Sequence, residues 1–434
     1  MLRCRQADKD LPYRIPVITN IATGTKIGGR SRTGHNECHR IGSLTELLWG
    51  KINAADIIHK IASPAIKIIS LTITEGGYNL DIDSGQFDLA NEAVQHDLTS
   101  PQRPETVFGY VAQGLKKRML DGVGPLTILS CDNLKDNGKV CRKAFLSFFE
   151  HTDQALYDWA LENISFPSSM VDRITPATGP EDVQRLNQMN GTKDSAPVFC
   201  EDFIQWVIED DFIAGRPAWE RVGVEFTDDV AGYEAVKFGF VNSTHQMLSF
   251  PAYLAGFRKV DEAVGNETIE TYLKQYMELD VMPYLTAPDQ VDLNVYRTTF
   301  EQRLKNKAVS DQLERLCFDA IHKTPIYMWP TMNAMIAAGA DMVRVAMFVA
   351  SYRLYLRRGA DDKGTPYIVR DPGLTEHDRE LIASDAPTDF LGLSCFTGVE
   401  LRASESFMKW YPAYCREIAE KGVLAVLEQS VAEP

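Results

Sequence analysis

The chain has 434 residues, 44% of them apolar, which is enough to bury a large core and to fill two or three domains. Its 45 Lys and Arg stand against 60 Asp and Glu, and the net charge of -15 works against nucleic-acid phosphates and anionic membrane surfaces as partners. Eight scattered cysteines with no Cys-x-x-Cys pair argue against a disulfide framework and fit a reducing cytoplasm.

The first ten residues are charged and lack an apolar centre, so no secretory signal is expected there. Residues 1–40 read as a separate, poorly ordered segment in which only Arg14 to Ala22 is plausible as a strand. Gly24, Gly28 and Gly29 lack the spacing of a Gly-x-Gly-x-x-Gly turn and have no apolar helix directly behind them. His35, Cys38 and His39 offer soft ligands, but no second cluster completes a tetrahedral site, so no metal is expected.

From residue 41 the texture alternates. Thr45 to Ala62 predicts a helix, Ser63 to Ile73 contains a strand, and Gly76 and Gly77 mark a turn. A helix is expected over Val107 to Leu120, a strand over Pro125 to Cys131 and another helix over Val140 to Glu150. Such alternation predicts a parallel sheet with helices on its faces, over residues 41–226. Beyond Phe226 strands become scarce, and helices are expected over Asp229 to Phe257, Glu267 to Tyr276, Asp311 to Ile321 and Glu405 to Leu427. The most apolar stretch, Met342 to Leu356, carries Arg344 and Arg353 and is too short to span a bilayer. The fold class is therefore α/β: an incomplete Rossmann-type domain, then a mostly α-helical domain over residues 227–434.

Tyr233 to Phe257 is the most informative segment, because it sets Lys237, Asn242 and His245 in a largely apolar helix. At about 100° per residue Asn242 and His245 share one face, and Lys237 lies within roughly 140° of both. A lysine in an apolar surround loses hydration of its charged form, which is one route to a general base. Periodicity alone also fits, and by itself favours, a solvent-facing lysine beside a hydrogen-bonded Asn and His.

The string Lys-x-x-x-x-Asn-x-x-His resembles the catalytic signature of the long-chain mannitol dehydrogenases, a family of metal-independent polyol dehydrogenases. SLTITEGGY (Ser70 to Tyr78), SCDNLKDNG (Ser130 to Gly138), FPSSMVDRITP (Phe166 to Pro176) and the run Phe203 to Val230 resemble that family's segments in its order. The resemblance runs from Ile41 to near the C-terminus and weakens after Asp371. It implies reversible, NAD-dependent oxidation of a linear sugar alcohol, of the D-mannitol to D-fructose type, with NADP as the other cofactor option. By the same resemblance Lys237 takes the hydroxyl proton, and the amides of Asn133 and Asn242 donate to the reacting oxygen, as fixed donors in place of a metal. Asp172, His245, Arg315 and Lys323 match substrate-side positions, while Glu75 and Gly76, with Asn133, match positions near the nicotinamide. A small polyol or ketose is the implied partner, and the protein is expected to be a monomer. Reduction of a keto-uronate, or oxidation of arabinitol or sorbitol, remains open within the same chemistry.

The family's opening Gly-x-Gly-x-Phe-x-Arg turn and second strand are not recognisable. Loss of one βαβ unit is expected to leave an unstable or poorly NAD-competent product, through a late start, an upstream frameshift or gene decay. A non-catalytic remnant is the alternative of another class.

Overall fold

The computed structural model describes residues 27–30, 36–39, 46–81, 84–176, 178–195, 197–307 and 309–432. Of these, residues 27–29 and 37–231 form one unit, and residues 30, 36 and 232–432 the other.

In chain order the first unit contains β1 (Ile27–Arg30), β2 (Asn36–His39), α1 (Gly50–Ala62), β3 (Ile68–Leu71), α2 (Glu92–Thr99), α3 (Val107–Leu120), β4 (Leu126–Ser130), α4 (Asn137–Thr152), α5 (Gln154–Asn163), β5 (Ile164–Ser165), β6 (Ser169–Asp172), α6 (Pro180–Asn190), β7 (Val198–Glu201), β8 (Gln205–Glu209) and β9 (Glu225–Thr227). The central strand is β4, which pairs in parallel with β3 (Ile69 opposite Ile128) and with β5 (Leu126 opposite Ile164). All five of its residues are buried, as a strand covered on both faces requires. Leu126 and Ile128 pack with Ile57 and Ile61 of α1, Leu115 of α3 and Phe145 of α4. Leu129 points the other way, into a cluster with Ile208 of β8, Val224, Trp206 and Trp219. Helices thus cover one face of the parallel sheet. The second face, expected to carry helices too, is covered by residues of the three-stranded β6-β8-β9 sheet, in which β6 runs antiparallel to β8 and β9 parallel to it.

Arg118, 2% exposed, joins the elements at the start of β4. Its guanidinium donates to the carbonyls of Ile61, Ser63, Gly124 and Pro125, closing the ends of α1 and α3 onto the strand. Four carbonyls satisfy the buried cation without a carboxylate, which offsets the cost of taking its charge out of water.

Local chemistry moved several expected boundaries. The helix predicted from Thr45 starts at Gly50, because the Asn53 side chain accepts the Trp49 N–H and competes with the helical backbone. Of residues 1–40, β1 and β2 form a sheet with β7 in the order β2-β1-β7, strands that their polar, Gly-rich sequence does not announce. The candidate strand Arg14 to Ala22, and His35 among the candidate ligands, lie outside the described residues.

The second unit is built from α7 (Val230–Lys237), which leads into it, and α8 (Ser243–Leu254), α9 (Val260–Val264), α10 (Glu267–Gln275), α11 (Leu293–Leu304), α12 (Leu313–Cys317), α13 (Ala320–Ala337), α14 (Val343–Arg358), α15 (Glu376–Ala383), α16 (Glu405–Lys421) and α17 (Val423–Ala432). Every residue of α8 is buried. Phe250 of α8 stacks on Tyr352 of α14 with ring centroids 4.3 Å apart. Arg344 of α14 forms two hydrogen bonds, of 2.7 and 2.6 Å, with the buried carboxylate of Asp280. The single closing helix expected over Glu405 to Leu427 is two helices, parted at Gly422, whose φ of 81° suits glycine alone among common residues. Among the described residues no helix is long and apolar enough to cross a membrane. Nor do those residues include a group of three or more His, Cys, Asp or Glu able to hold a metal ion.

Candidate functional site

In the first unit the candidate residues gather where the parallel strands end. Just past β3, Thr74 takes φ 64° and ψ 172°, a conformation that a β-branched residue avoids. The Asp132 carboxylate, just past β4, accepts the backbone N–H of Ile73 at 3.0 Å and of Thr74 at 2.8 Å. It also accepts the Tyr78 hydroxyl at 2.7 Å, and Tyr78 lies 2.6 Å from the Ser130 Oγ. Burial raises the pKa of the Asp132 carboxyl, while the Tyr78 and amide hydrogen bonds pull it down.

Asn133 follows Asp132, half-buried at the same edge. Its loop is pinned from below by Asn137, whose side chain donates to the carbonyls of Asp132 (2.9 Å) and Ser169 (2.6 Å) and accepts the Ser169 N–H. Gly138 permits this approach, since a Cβ there would stand 2.6 Å from the Phe166 carbonyl oxygen. Glu75 and Gly76 open the one-turn 3-10 helix Glu75–Tyr78, and among the described residues nothing lies within 4 Å of a Cβ built on Gly76. The Glu75 side chain lies outside the described residues. Asp172, 4% exposed, ends β6 opposite Gln205, in the same unit.

The second unit holds Lys237, Asn242, His245, Arg315 and Lys323. Lys237 ends α7 and is 6% exposed, with its Nζ 5.6 Å from the centre of the Phe238 ring. The next five residues, Phe238–Asn242, form a π-helical turn in which the Ser243 N–H reaches the Phe238 carbonyl. Nothing in the residue pattern announces this turn, and it changes the facing. Residues five apart stand about 140° apart in an α-helix, but an i to i+5 turn brings them to within roughly 50°. With His245 three residues beyond Asn242, all three side chains come to one face. The Asn242 Oδ1 is buried with no hydrogen-bond partner, and a flip of the amide would present its N–H groups there instead. His245, 8% exposed, packs its ring edge-on to Phe300 at 5.6 Å.

Arg315 and Lys323 lie on different helices, and the helix expected over Asp311 to Ile321 is broken into two. Asp319, with φ 57°, turns the chain between α12 and α13. At that corner the Lys323 ammonium donates to the carbonyls of Arg315 (3.2 Å) and Phe318. Burial, then repulsion from Arg315, pushes the Lys323 pKa down to about 8. Arg315 is held by both oxygens of Asp311, through its Nε at 2.9 Å and its Nη2. Burial works against the Asp311 carboxylate, but the Arg315 guanidinium outweighs it and holds the carboxyl below its ordinary value. Sequence reasoning missed Asp132, Thr74, Tyr78 and Asp311, since a carboxylate's partners far along the chain leave no periodic trace.

Open ends of parallel strands are where open α/β sheets take ligands, and among the described residues no atom crowds Gly76 against the approach of a flat ring. The described residues of this edge therefore fit the nicotinamide end of a dinucleotide. No Gly-x-Gly-x-x-Gly run occurs in the sequence to wrap a pyrophosphate.

Comparison with known proteins divides the chain at nearly the same place. Residues 30–221 match the model of the mannitol dehydrogenase Rossmann domain, and residues 229–414 match that of the mannitol dehydrogenase C-terminal domain. A polyol:NADP oxidoreductase of Gluconobacter oxydans (strain 621H) is 40% identical over 396 residues, covering 91% of this chain and 81% of that protein. A D-sorbitol dehydrogenase solved in substrate-free form is similar with a TM-score of 0.85 at 38% identity, over 92% of this chain and 83% of its own. The Pseudomonas fluorescens mannitol 2-dehydrogenase, solved as a ternary complex with NAD and D-mannitol, gives a TM-score of 0.82 at 39% identity, over 95% and 84%.

Proposed function

Because the chain belongs to the mannitol dehydrogenase family, we propose that it oxidises a secondary hydroxyl of a linear sugar alcohol, reversibly, with a nicotinamide dinucleotide and without a metal. The observation that carries this reading is the buried Lys237 with Asn242 and His245 turned to its face by the π-helical turn.

In this reading Lys237 accepts the proton of the reacting hydroxyl through its Nζ, sheltered from bulk water by its burial. The Asn242 amide donates to that oxygen as negative charge grows on it, as a preorganised dipole. The bound nicotinamide supplies the acceptor for hydride from the carbinol carbon. His245, Arg315 and Lys323 bind the remaining hydroxyls; in the first unit, the neighbourhood of Gly76 and Asn133 receives the nicotinamide end. D-Mannitol is the substrate favoured, since relatives act on mannitol and on sorbitol by name. NAD is the cofactor favoured, with NADP second because a 40% identical relative is named for it.

The test is to incubate the purified chain with NAD or NADP and, in turn, D-mannitol, D-sorbitol and D-arabinitol, following formation of the reduced cofactor. Turnover greatest with D-mannitol is expected. Saturable NADH binding without turnover of any polyol would contradict the proposed reaction, and no saturable NADH binding would favour the non-catalytic alternative.

A further inference from the structure

Thr74 is one of five non-glycine residues with positive φ among the described residues, and its ψ of 172° is extended, whereas Asn79, Asp136 and Asp319 have ψ of 36°, 41° and 41°. Such a conformation costs about 1–3 kcal/mol and persists only where the surroundings over-determine it. Here the surroundings are one carboxylate. Asp132 Oδ1 accepts the Thr74 N–H and Oδ2 accepts the Ile73 N–H, so both oxygens fix two successive peptide groups across 58 and 59 residues of sequence. Tyr78 fixes Oδ2 in turn, from the far end of the turn that Thr74 begins. The ring closes on itself: β4 holds Asp132, Asp132 holds Thr74, and the Glu75–Tyr78 turn returns to Asp132.

We propose that Asp132 is a positioning residue, whose clamp on Ile73 and Thr74 sets the Thr74–Gly77 backbone as the seat for the nicotinamide end of the dinucleotide. The proposal rests on the oxidoreductase reading above and adds to it how the chain makes that seat. Geometry favours a seat over mere stitching, since β3 and β4 are already joined by their own ladder up to Leu71 and Ser130, and by the Cys131 N–H to the Leu71 carbonyl. The clamp therefore acts beyond the end of the sheet, on backbone that the ladder leaves unsupported. Asn at position 132 has one acceptor oxygen and would turn an N–H₂ toward a peptide N–H, so it cannot hold both amides.

The experiment is a fluorescence titration of the full chain with NADH, alongside D132N and D132N combined with Thr74→Gly. D132N is expected to weaken NADH binding about tenfold or more while the polyol KM at saturating cofactor is unchanged. Thr74→Gly in the D132N background is expected to restore most of the affinity, because glycine adopts the positive φ without a clamp. A D132N protein that binds NADH as the unaltered chain does, or a loss that Thr74→Gly leaves in place, overturns the proposal. If D132N does not fold, Tyr78→Phe carries the test, since it loosens Asp132 and leaves both amides in place. It should weaken NADH a few-fold in the natural background and not in a Thr74→Gly background; equal effects in both overturn the proposal. An unaltered chain with no saturable NADH binding overturns the functional reading and this proposal with it, whereas unaltered binding in D132N overturns this proposal alone.

Discussion

At the edge of the parallel sheet the backbone is forced, whereas in the Lys237 helix it is re-spaced. Thr74 sits in a conformation it would not choose and is kept there by hydrogen bonds from residues far along the chain. The π-helical turn after Lys237 puts none of its residues at positive φ; it adds one residue to a turn and carries Asn242 and His245 round toward the lysine. Each region departs from regular geometry where function is proposed, but the sheet edge depends on distant partners and the helix depends on its own register. Substitutions should therefore spread their effects at the sheet edge and confine them in the helix.

A large confined effect is expected for Asn242→Ala. Removing one donor to a developing oxyanion lowers kcat by about 10²–10³-fold, with the melting temperature near that of the unaltered chain, because the Asn242 Oδ1 has no partner to lose. A large drop in melting temperature would show that the amide is structural instead. Gly138→Ala tests the opposite behaviour at the sheet edge. Its Cβ would meet backbone atoms of Phe166, Pro167 and Ser168 at 2.6–2.7 Å, which cannot move aside cheaply. Overpacking of about 1–3 kcal/mol is expected in chemical denaturation, together with weaker NADH binding as the loop of Asn133 shifts.

Much of the frame was legible. The strand over Pro125 to Cys131 and the helix over Val107 to Leu120 appear as β4 and α3, because an uninterrupted apolar run and a 3.6-residue period are local signals. The β6-β8-β9 sheet that covers one face was not legible: its strands are three to five residues long and alternate with polar loops. Within the site, Asn133 and the Lys237 triplet came from resemblance to a family. Their facing did not, since a π-helical turn has the composition of an α-helix. The Arg315–Lys323 corner was hidden for a related reason, because the left-handed Asp319 interrupts a stretch whose period reads as continuous.

A smaller effect sharpens the corner. With the Lys323 pKa near 8, the side chain passes from cation to neutral amine as the medium turns alkaline. The polyol KM is expected to rise as pH climbs through about 8, and Lys323→Arg should remove that inflection. The linked effect on stability has the opposite sign. A lysine whose folded pKa lies below its unfolded value of about 10.4 holds fewer protons folded than unfolded between those values, so its contribution to stability improves with pH across that window. A KM flat across pH 7–9 would remove Lys323 from the substrate.

The central claim is that the Lys237 amine takes the substrate proton. Lys237→Ala in the full chain, assayed for polyol oxidation beside an NADH titration, addresses it most directly. The account predicts that turnover is abolished while NADH affinity stays nearly unchanged; near-normal rates at high pH, without any added amine, would contradict it.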